Sequence, residues 1–457
     1  MRVGDPGLLA ELRTVVGPDH VICDPEVVAS YVVDWTRRFR GPPTTVVRPG
    51  TVAEVAAVVA ACRTRGVAVV PQGGNTGMVG GGVPLAGELV LSLRRLVTID
   101  PVDEAAGQVT AGAGVTLGTV RQAAADAGWA YGVDFAARDS CTIGGNVATN
   151  AGGLRVLRYG DTRAQVLGIE AVLGNGDTVS HLGGLLKDNT GYALPALLCG
   201  SEGTLGVVTA VRLRLVPPAP ERVVALLAFD GPAAAVAAAA VLRRTLPVLS
   251  AAELILQPGL ALVCRVTGAP APFPDPHPAY LVVEASALVD PTGDLAAAVD
   301  GLGGVADVAV ADDSVRAAAL WRYREAHTEA INAQGPPHKL DVTLPAVALA
   351  EFVDRAPGAV ATVAPAADTW VFGHVADGNI HVNVTGIDPA DDRVDDAVLR
   401  LAASYGGSIS AEHGIGTAKR RWLHLNRSPA EIDAFRAVKR ALDPDGILNP
   451  NVLLPAG

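Results

Sequence analysis

Three glycine-rich tracts, "PQGGNTGMVGGGV" (71–83), "IGGNVATNAGG" (143–153) and "GSEGTLG" (200–206), crowd into the first half of the chain. Glycine weakens helix and strand interiors, so each tract predicts an irregular loop whose backbone takes conformations closed to most residues. Such loops also let backbone N–H groups approach a phosphate closely. The first tract follows a strand-like run but lacks the Gly-x-Gly-x-x-Gly spacing that opens a helix in a nicotinamide-dinucleotide site. What comes after it, "VPLAGELVLSL", reads as turn and strand, and no Gly-Lys-Ser/Thr is present for a nucleoside triphosphate. One such tract is most simply a turn. Three, with Asn, Ser and Thr interleaved, suit a large cofactor held through backbone amides.

The residues around the loops predict an α+β protein. "TTVVR" (44–48) reads as a strand, followed by a helix with Thr51 and Glu54 at capping-box spacing and Gly66 as its stop, then the strand "VAVV". "VVTAVRLRLV" (207–216) alternates like a half-buried strand. Past Pro217, Pro218 and Pro220 the composition shifts to an Ala-rich helix (232–244), a Pro-rich loop (268–278) and the strand "AYLVVEASA"; from Val398 the chain reads as more helical. Domains are expected at 1–216, 217–397 and 398–457. A chain of 457 residues is too long for one core.

A net charge of −11 argues against a nucleic-acid or anionic-membrane surface. Five scattered cysteines without Cys-x-x-Cys fit a reducing compartment. The longest apolar run, Pro232 to Leu242, is about half of the roughly 20 residues that span a bilayer. The opening segment reads as a short amphipathic helix rather than a signal peptide. A cytoplasmic protein with no membrane span is expected.

In "VFGHVADGNIHVNV" (371–384), two of the chain's nine histidines flank a polar interruption. If Asp377-Gly378 forms a two-residue hairpin turn, His374 lies directly opposite His381, with Cβ atoms about 4.5–5.5 Å apart. Asn383 then projects from the same face. Two imidazoles so placed can converge on one ion, and Glu412 beside His413 in "SISAEHGIGTAKR" offers a third ligand; His₂Glu is a catalytic zinc shell. A hairpin that merely contains histidine is the plainer alternative. In "LWRYREAHTEAINAQGPPHKLDVTLP" (320–345), Arg324 and Thr328 are helical neighbours and Lys339 opens a strand, a set able to grip a carboxylate. A solvated helix face is the commoner outcome for such residues. His327 and His338 read as surface residues.

The glycine tracts, "GGNVATNAGGLRVLRYG", "KDNTGY", "GHVADGNIHVNV" and "AEHGIG" together resemble FAD oxidoreductases of the vanillyl-alcohol oxidase type, most of all the D-2-hydroxyglutarate dehydrogenase family, from about residue 30 onward. The resemblance implies a PCMH-type FAD-binding domain of two α/β subdomains, a ferredoxin-like substrate domain and a C-terminal helical segment closing on the flavin. It implies FAD contacts from Pro71, Gln72, Gly73, Gly74, Asn75, Thr76, Gly77 and Gly80, and from Ser140, Gly144, Gly145, Asn146, Thr149, Asn150 and Gly152. Glu202, Gly203, Val207 and Asn449 complete them. Relatives that tether FAD covalently carry a His where this chain has Asn75, so non-covalent FAD is implied. His374, His381 and Glu412 become ligands of a divalent metal, zinc foremost, with manganese or iron as alternatives. His413 becomes the catalytic base, and Arg324, Thr328, Lys339 and Asn383 the substrate contacts. The implied activity is FAD-dependent oxidation of a D-2-hydroxy acid, D-2-hydroxyglutarate or D-malate, by hydride transfer to flavin N5. Electron-transfer flavoprotein or another carrier would be the acceptor, and a homodimer the assembly. D-lactate or glycolate oxidation, or a non-redox transferase on the same scaffold, are the rival readings.

Overall fold

The computed structural model describes residues 4–455. Its chain divides into two units, one made of Met1–Gly153, Gly160–Pro217 and Glu412–Gly457, the other of Leu154–Tyr159 and Pro218–Ala411.

In the first unit, the helix Pro6–Val16 starts where Asp5 accepts a hydrogen bond from the Leu8 N–H at 3.1 Å. Its Leu8, Leu12 and Val16, spaced one turn apart, pack on Val55, Val58, Val59 and Cys62 of the helix Val52–Thr64. Each fully buried Val or Leu of this kind contributes roughly 1.5–3 kcal/mol. The strands β1 (Val21–Ile22), β2 (Val46–Val47), β3 (Val69–Gln72) and β4 (Leu89–Ser92) form a sheet in the order β1-β2-β4-β3, with β2, β4 and β3 parallel. A second sheet, wholly antiparallel, joins β5 (Gln108–Gly112), β6 (Val166–Leu173), β7 (Thr178–His181) and β8 (Gly206–Arg214) in the order β5-β8-β6-β7. The glycine tracts are the connections at the ends of β3 and β8 and the short helix Ile143–Thr149 with its exit turn. All five cysteines are free thiols.

The second unit is built on a seven-stranded antiparallel sheet. It comprises β9 (Glu221–Phe229), β10 (Leu249–Leu256), β11 (Ala279–Ala287), β12 (Val305–Ala311), β13 (His338–Thr343), β14 (Asp368–His374) and β15 (Asn379–Thr385). The order is β12-β9-β11-β10-β14-β15-β13. Its first four members have the 4-1-3-2 order of a ferredoxin-like sheet, and a hairpin plus one more strand extend it past β10. The helices Gln257–Thr267 and His327–Asn332 press Leu262, Val263, Ala330 and Ile331 onto Trp370 and Phe372 of β14. Among the described residues no helix is long and apolar enough to cross a membrane.

Candidate active site

The first unit gathers the glycine tracts into one cradle. A Cβ on Gly73 would collide with the Thr142 hydroxyl, and one on Gly74 with the Ser140 carbonyl, so the bare backbone of the first tract lies against the residues that lead into the second. Arg94 draws the carbonyls of Gly73 and Gly74 to itself, Nε to Gly73 at 3.2 Å and Nη2 to Gly74 at 2.8 Å. In a trans peptide the following N–H points the opposite way, which aims amides of this loop away from Arg94. Asn75, Asn150, Glu202 and Asn449 all adopt positive φ (56°, 51°, 53° and 44°), a conformation uncommon outside glycine and concentrated at functional loops. Asn75 sends its amide to the carbonyls of Ser30 (3.1 Å) and Val33 (2.9 Å), which anchors the loop. Buried Gln72 Oε1 and Ser201 Oγ have no protein hydrogen-bond partner among the described residues. Such orphans fit a ligand that brings its own polar groups, and a dinucleotide does so.

Other expected contact residues brace this cradle. Asn449 donates to Gly81 and to Glu202, both at 2.8 Å, and so stitches the first and third tracts together. The Glu202 carboxylate accepts from the amides of Ile415 (2.8 Å) and Gly416 (2.7 Å), fixing the loop that carries His413. Burial pushes the Glu202 carboxyl above its ordinary value, against those two hydrogen bonds and nearby Lys419. Val207 is fully buried in the apolar core, which leaves only its backbone for a ligand.

The second unit lines up its polar residues on one sheet face. The 371–384 segment is a hairpin, as expected, but its register differs. His374 pairs with Asn379 and Phe372 with His381, so residues 375–378 form a four-residue connection in place of the two-residue turn. Asp377 accepts from the Asn379 N–H at 3.1 Å within it. Because Asn379 and His381 are two apart, His374 and His381 still share a face, as diagonal rather than direct neighbours. Their ring centroids are 5.2 Å apart with planes at 82°. Cross-strand pairing adds Glu253 opposite His374, Asp341 opposite His381 and Lys339 opposite Asn383 to that face.

Two carboxylates that the sequence reading missed stand against the imidazoles, Glu253 as a hydrogen-bond acceptor and Asp341 at longer range. Glu253 Oε1 lies 2.6 Å from His374 Nδ1, and Asp341 Oδ1 lies 3.5 Å from His381 Nδ1. A carboxylate only accepts, so His374 carries its proton on Nδ1 and presents Nε2 as the coordinating atom, the arrangement typical of metal-bound histidine. The donor set therefore fits a divalent ion. Asp341 also accepts from Asn379 Nδ2 at 2.8 Å and from the Ala411 N–H at 2.9 Å, directly before Glu412 in the chain. The signal for Glu253 was a lone acid inside the apolar run "SAAELIL"; for Asp341 it was its place two residues beyond Lys339 on an alternating strand.

The expected carboxylate-binding residues fall in the same unit. Arg324 is buried, with Nε 2.7 Å from Glu253 Oε2 and its guanidinium 4.6 Å from the Phe372 ring centroid. The helix does not run on to Thr328; it ends at Glu325, and a new helix starts at His327. Lys339 Nζ lies 3.2 Å from Asn383 Oδ1, and burial lowers its pKa from 10.5 to about 8. His327 and His338 are not surface residues, because both are fully buried. His338 Nδ1 meets Asp395 at 2.5 Å. His327 sits against glycine 259, where a Cβ would crowd its ring, and burial, then Arg324, bring its pKa down to about 3.

Residues 43–181 match the FAD binding domain family, and residues 219–453 match the FAD linked oxidases, C-terminal domain family. The chain is 40% identical over 469 residues to D-2-hydroxyglutarate dehydrogenase of Xanthomonas citri pv. viticola, covering 98% of this chain and 97% of that one. It is also 40% identical to the mitochondrial D-2-hydroxyglutarate dehydrogenase of Bos taurus, over 98% of this chain and 83% of that one. Among solved structures it resembles p-cresol methylhydroxylase with substrate bound (TM-score 0.75, 18% identity, 97% of this chain and 96% of that one). It also resembles alkyldihydroxyacetonephosphate synthase (TM-score 0.73, 17% identity, 97% and 84%), a likeness of fold alone. Fold and loops together define an FAD-dependent oxidoreductase. Within that class, the chain belongs to the D-2-hydroxyglutarate dehydrogenase family.

Proposed function

We propose that this chain oxidises D-2-hydroxyglutarate, or the related diacid D-malate, to the 2-oxo acid and passes the electrons to electron-transfer flavoprotein or a similar carrier. The observation that carries the substrate reading is the single sheet face on which two imidazoles, each facing a carboxylate, stand beside Arg324, Lys339 and Asn383. Two cations suit two carboxylates, which favours a diacid over D-lactate or glycolate. FAD, non-covalent for want of a histidine at Asn75, would be held by the glycine loops and supplies the acceptor for the C2 hydride. His374, His381 and, by family likeness, Glu412 would hold a divalent ion, whose chemistry is to stabilise negative charge on the C2 oxygen. His413 takes the hydroxyl proton, a task suited to an imidazole at neutral pH. Arg324, Thr328 and Lys339 bind the carboxylates, and Asn383, hydrogen-bonded to Lys339, orients the ammonium.

Anaerobic mixing of the yellow protein with D-2-hydroxyglutarate, D-malate, D-lactate and glycolate tests the reading. Flavin bleaching at least tenfold faster with a diacid is expected, and faster bleaching with a monoacid rejects it.

The Lys339 ammonium sets a pH limit. Burial lowers its pKa to about 8, so the cation is present well below that pH, half lost at about pH 8 and gone well above it. For the diacid, kcat/KM should fall with an apparent pKa near 8 in the native enzyme. Lys339→Arg, whose charge persists above pH 12, should abolish that fall. An unchanged alkaline limb in Lys339→Arg counts against Lys339 as an anchor.

A further inference from the structure

We propose that Glu253 is a positioning residue that couples the metal-binding and substrate-binding halves of this face; the inference rests on the roles of His374 and Arg324 given above. Its two oxygens are divided between them, Oε1 to His374 Nδ1 at 2.6 Å and Oε2 to Arg324 Nε at 2.7 Å. Glu253 is 1% exposed and stands on β10 directly across from His374, so its direction is set by the sheet. One carboxylate thereby fixes the tautomer of a ligand ring and the orientation of a guanidinium. Binding Arg324 through Nε leaves the two Nη groups as the fork for a substrate carboxylate. The Phe372 ring completes the alignment, 4.6 Å from the guanidinium and 5.1 Å from the His381 ring.

An amide cannot replace this carboxylate. In Glu253→Gln one partner keeps an acceptor while the other meets an N–H₂ donor, so at least one of the two groups loses its orientation. The test uses the full-length holoenzyme, with Zn2+ alone as the metal probe in competition with a chelator. Glu253→Gln is expected to weaken Zn2+ affinity about 10–100-fold, the usual cost of removing such an outer partner. It should also raise KM for the diacid about tenfold while the flavin spectrum stays unchanged, because the glycine loops belong to the other unit.

Adding Arg324→Met to Glu253→Gln should then raise KM by much less than it does in the native background. A general loss of stability would not produce that non-additivity. Should Glu253→Gln fail to fold, Glu253→Met with Arg324→Met removes the stranded guanidinium, and the same loss of Zn2+ affinity is expected relative to Arg324→Met alone. Native Zn2+ affinity in these variants, with affinity lost in His374→Ala, overturns the proposal and leaves the ligand assignment standing. Native affinity in His374→Ala as well overturns the ligand assignment and the proposal with it.

Discussion

His413→Ala is expected to lower turnover about 10²–10⁴-fold, the range for removing a general base, with the FAD spectrum intact. The loop bearing His413 does not depend on the imidazole for its shape. Glu202 clamps the amides of Ile415 and Gly416, and Gly414 and Gly416 take positive φ values of 86° and 53°. The His413 side chain is 17% exposed and 3.9 Å from the Glu412 carboxylate, so it is positioned yet reachable. Truncating it should remove chemistry and little else. Stopped-flow reduction of the flavin by the diacid reads the step directly, and a rate within a factor of about three of the native one takes His413 out of the mechanism.

Chelation should be the second large effect. Removing the proposed divalent ion is expected to cost at least about 10²-fold in turnover, since a Lewis acid at the reacting oxygen would supply several kcal/mol. The yellow colour should persist. The segments expected to hold FAD, around Gln72–Gly77 and Gly144–Asn150, belong to one unit, whereas His374 and His381 belong to the other. Re-addition of Zn2+ or Mn2+ should restore activity. Full turnover in protein with less than about a tenth of an equivalent of any divalent metal sinks the metal's part in the reaction.

What could be read from the sequence was whatever a few neighbouring residues decide. The strand Ala279–Ala287 and the helix Pro232–Thr245 follow from composition, and the glycine tracts at 71–83 and 200–206 from backbone freedom; the second tract differs from the expected loop, since Ile143–Thr149 is a short helix capped by the Thr142 hydroxyl. The hairpin at 371–384 was legible, its register was not. Asp-Gly signals a tight turn, but Gly373, where a Cβ would strike the Asn379 backbone, lets the strands close earlier and leaves a four-residue link. Partners distant in the chain were out of reach. Glu253 precedes His374 by 121 residues and Asp395 follows His338 by 57, so no local pattern announces either buried pair. Reading His338 as a surface residue failed for that reason: a polar side chain is buried when something remote satisfies it. His327 differs, since its ring meets the local Arg324 carbonyl at 3.2 Å and its Nε2 has no hydrogen-bond partner among the described residues. The split between Arg324 and Thr328 was equally hidden, because no helix breaker stands at Ala326.

Ile447 and Leu448 lie in the same apolar core as Leu8 and Leu12, and Asn449 ties together two glycine tracts. The interior begun by the helix Pro6–Val16 is thus completed by residues far along the chain. Truncation just before Asn449 is therefore expected to unpin the first glycine tract from the third and to weaken FAD retention, read as loss of yellow colour on gel filtration.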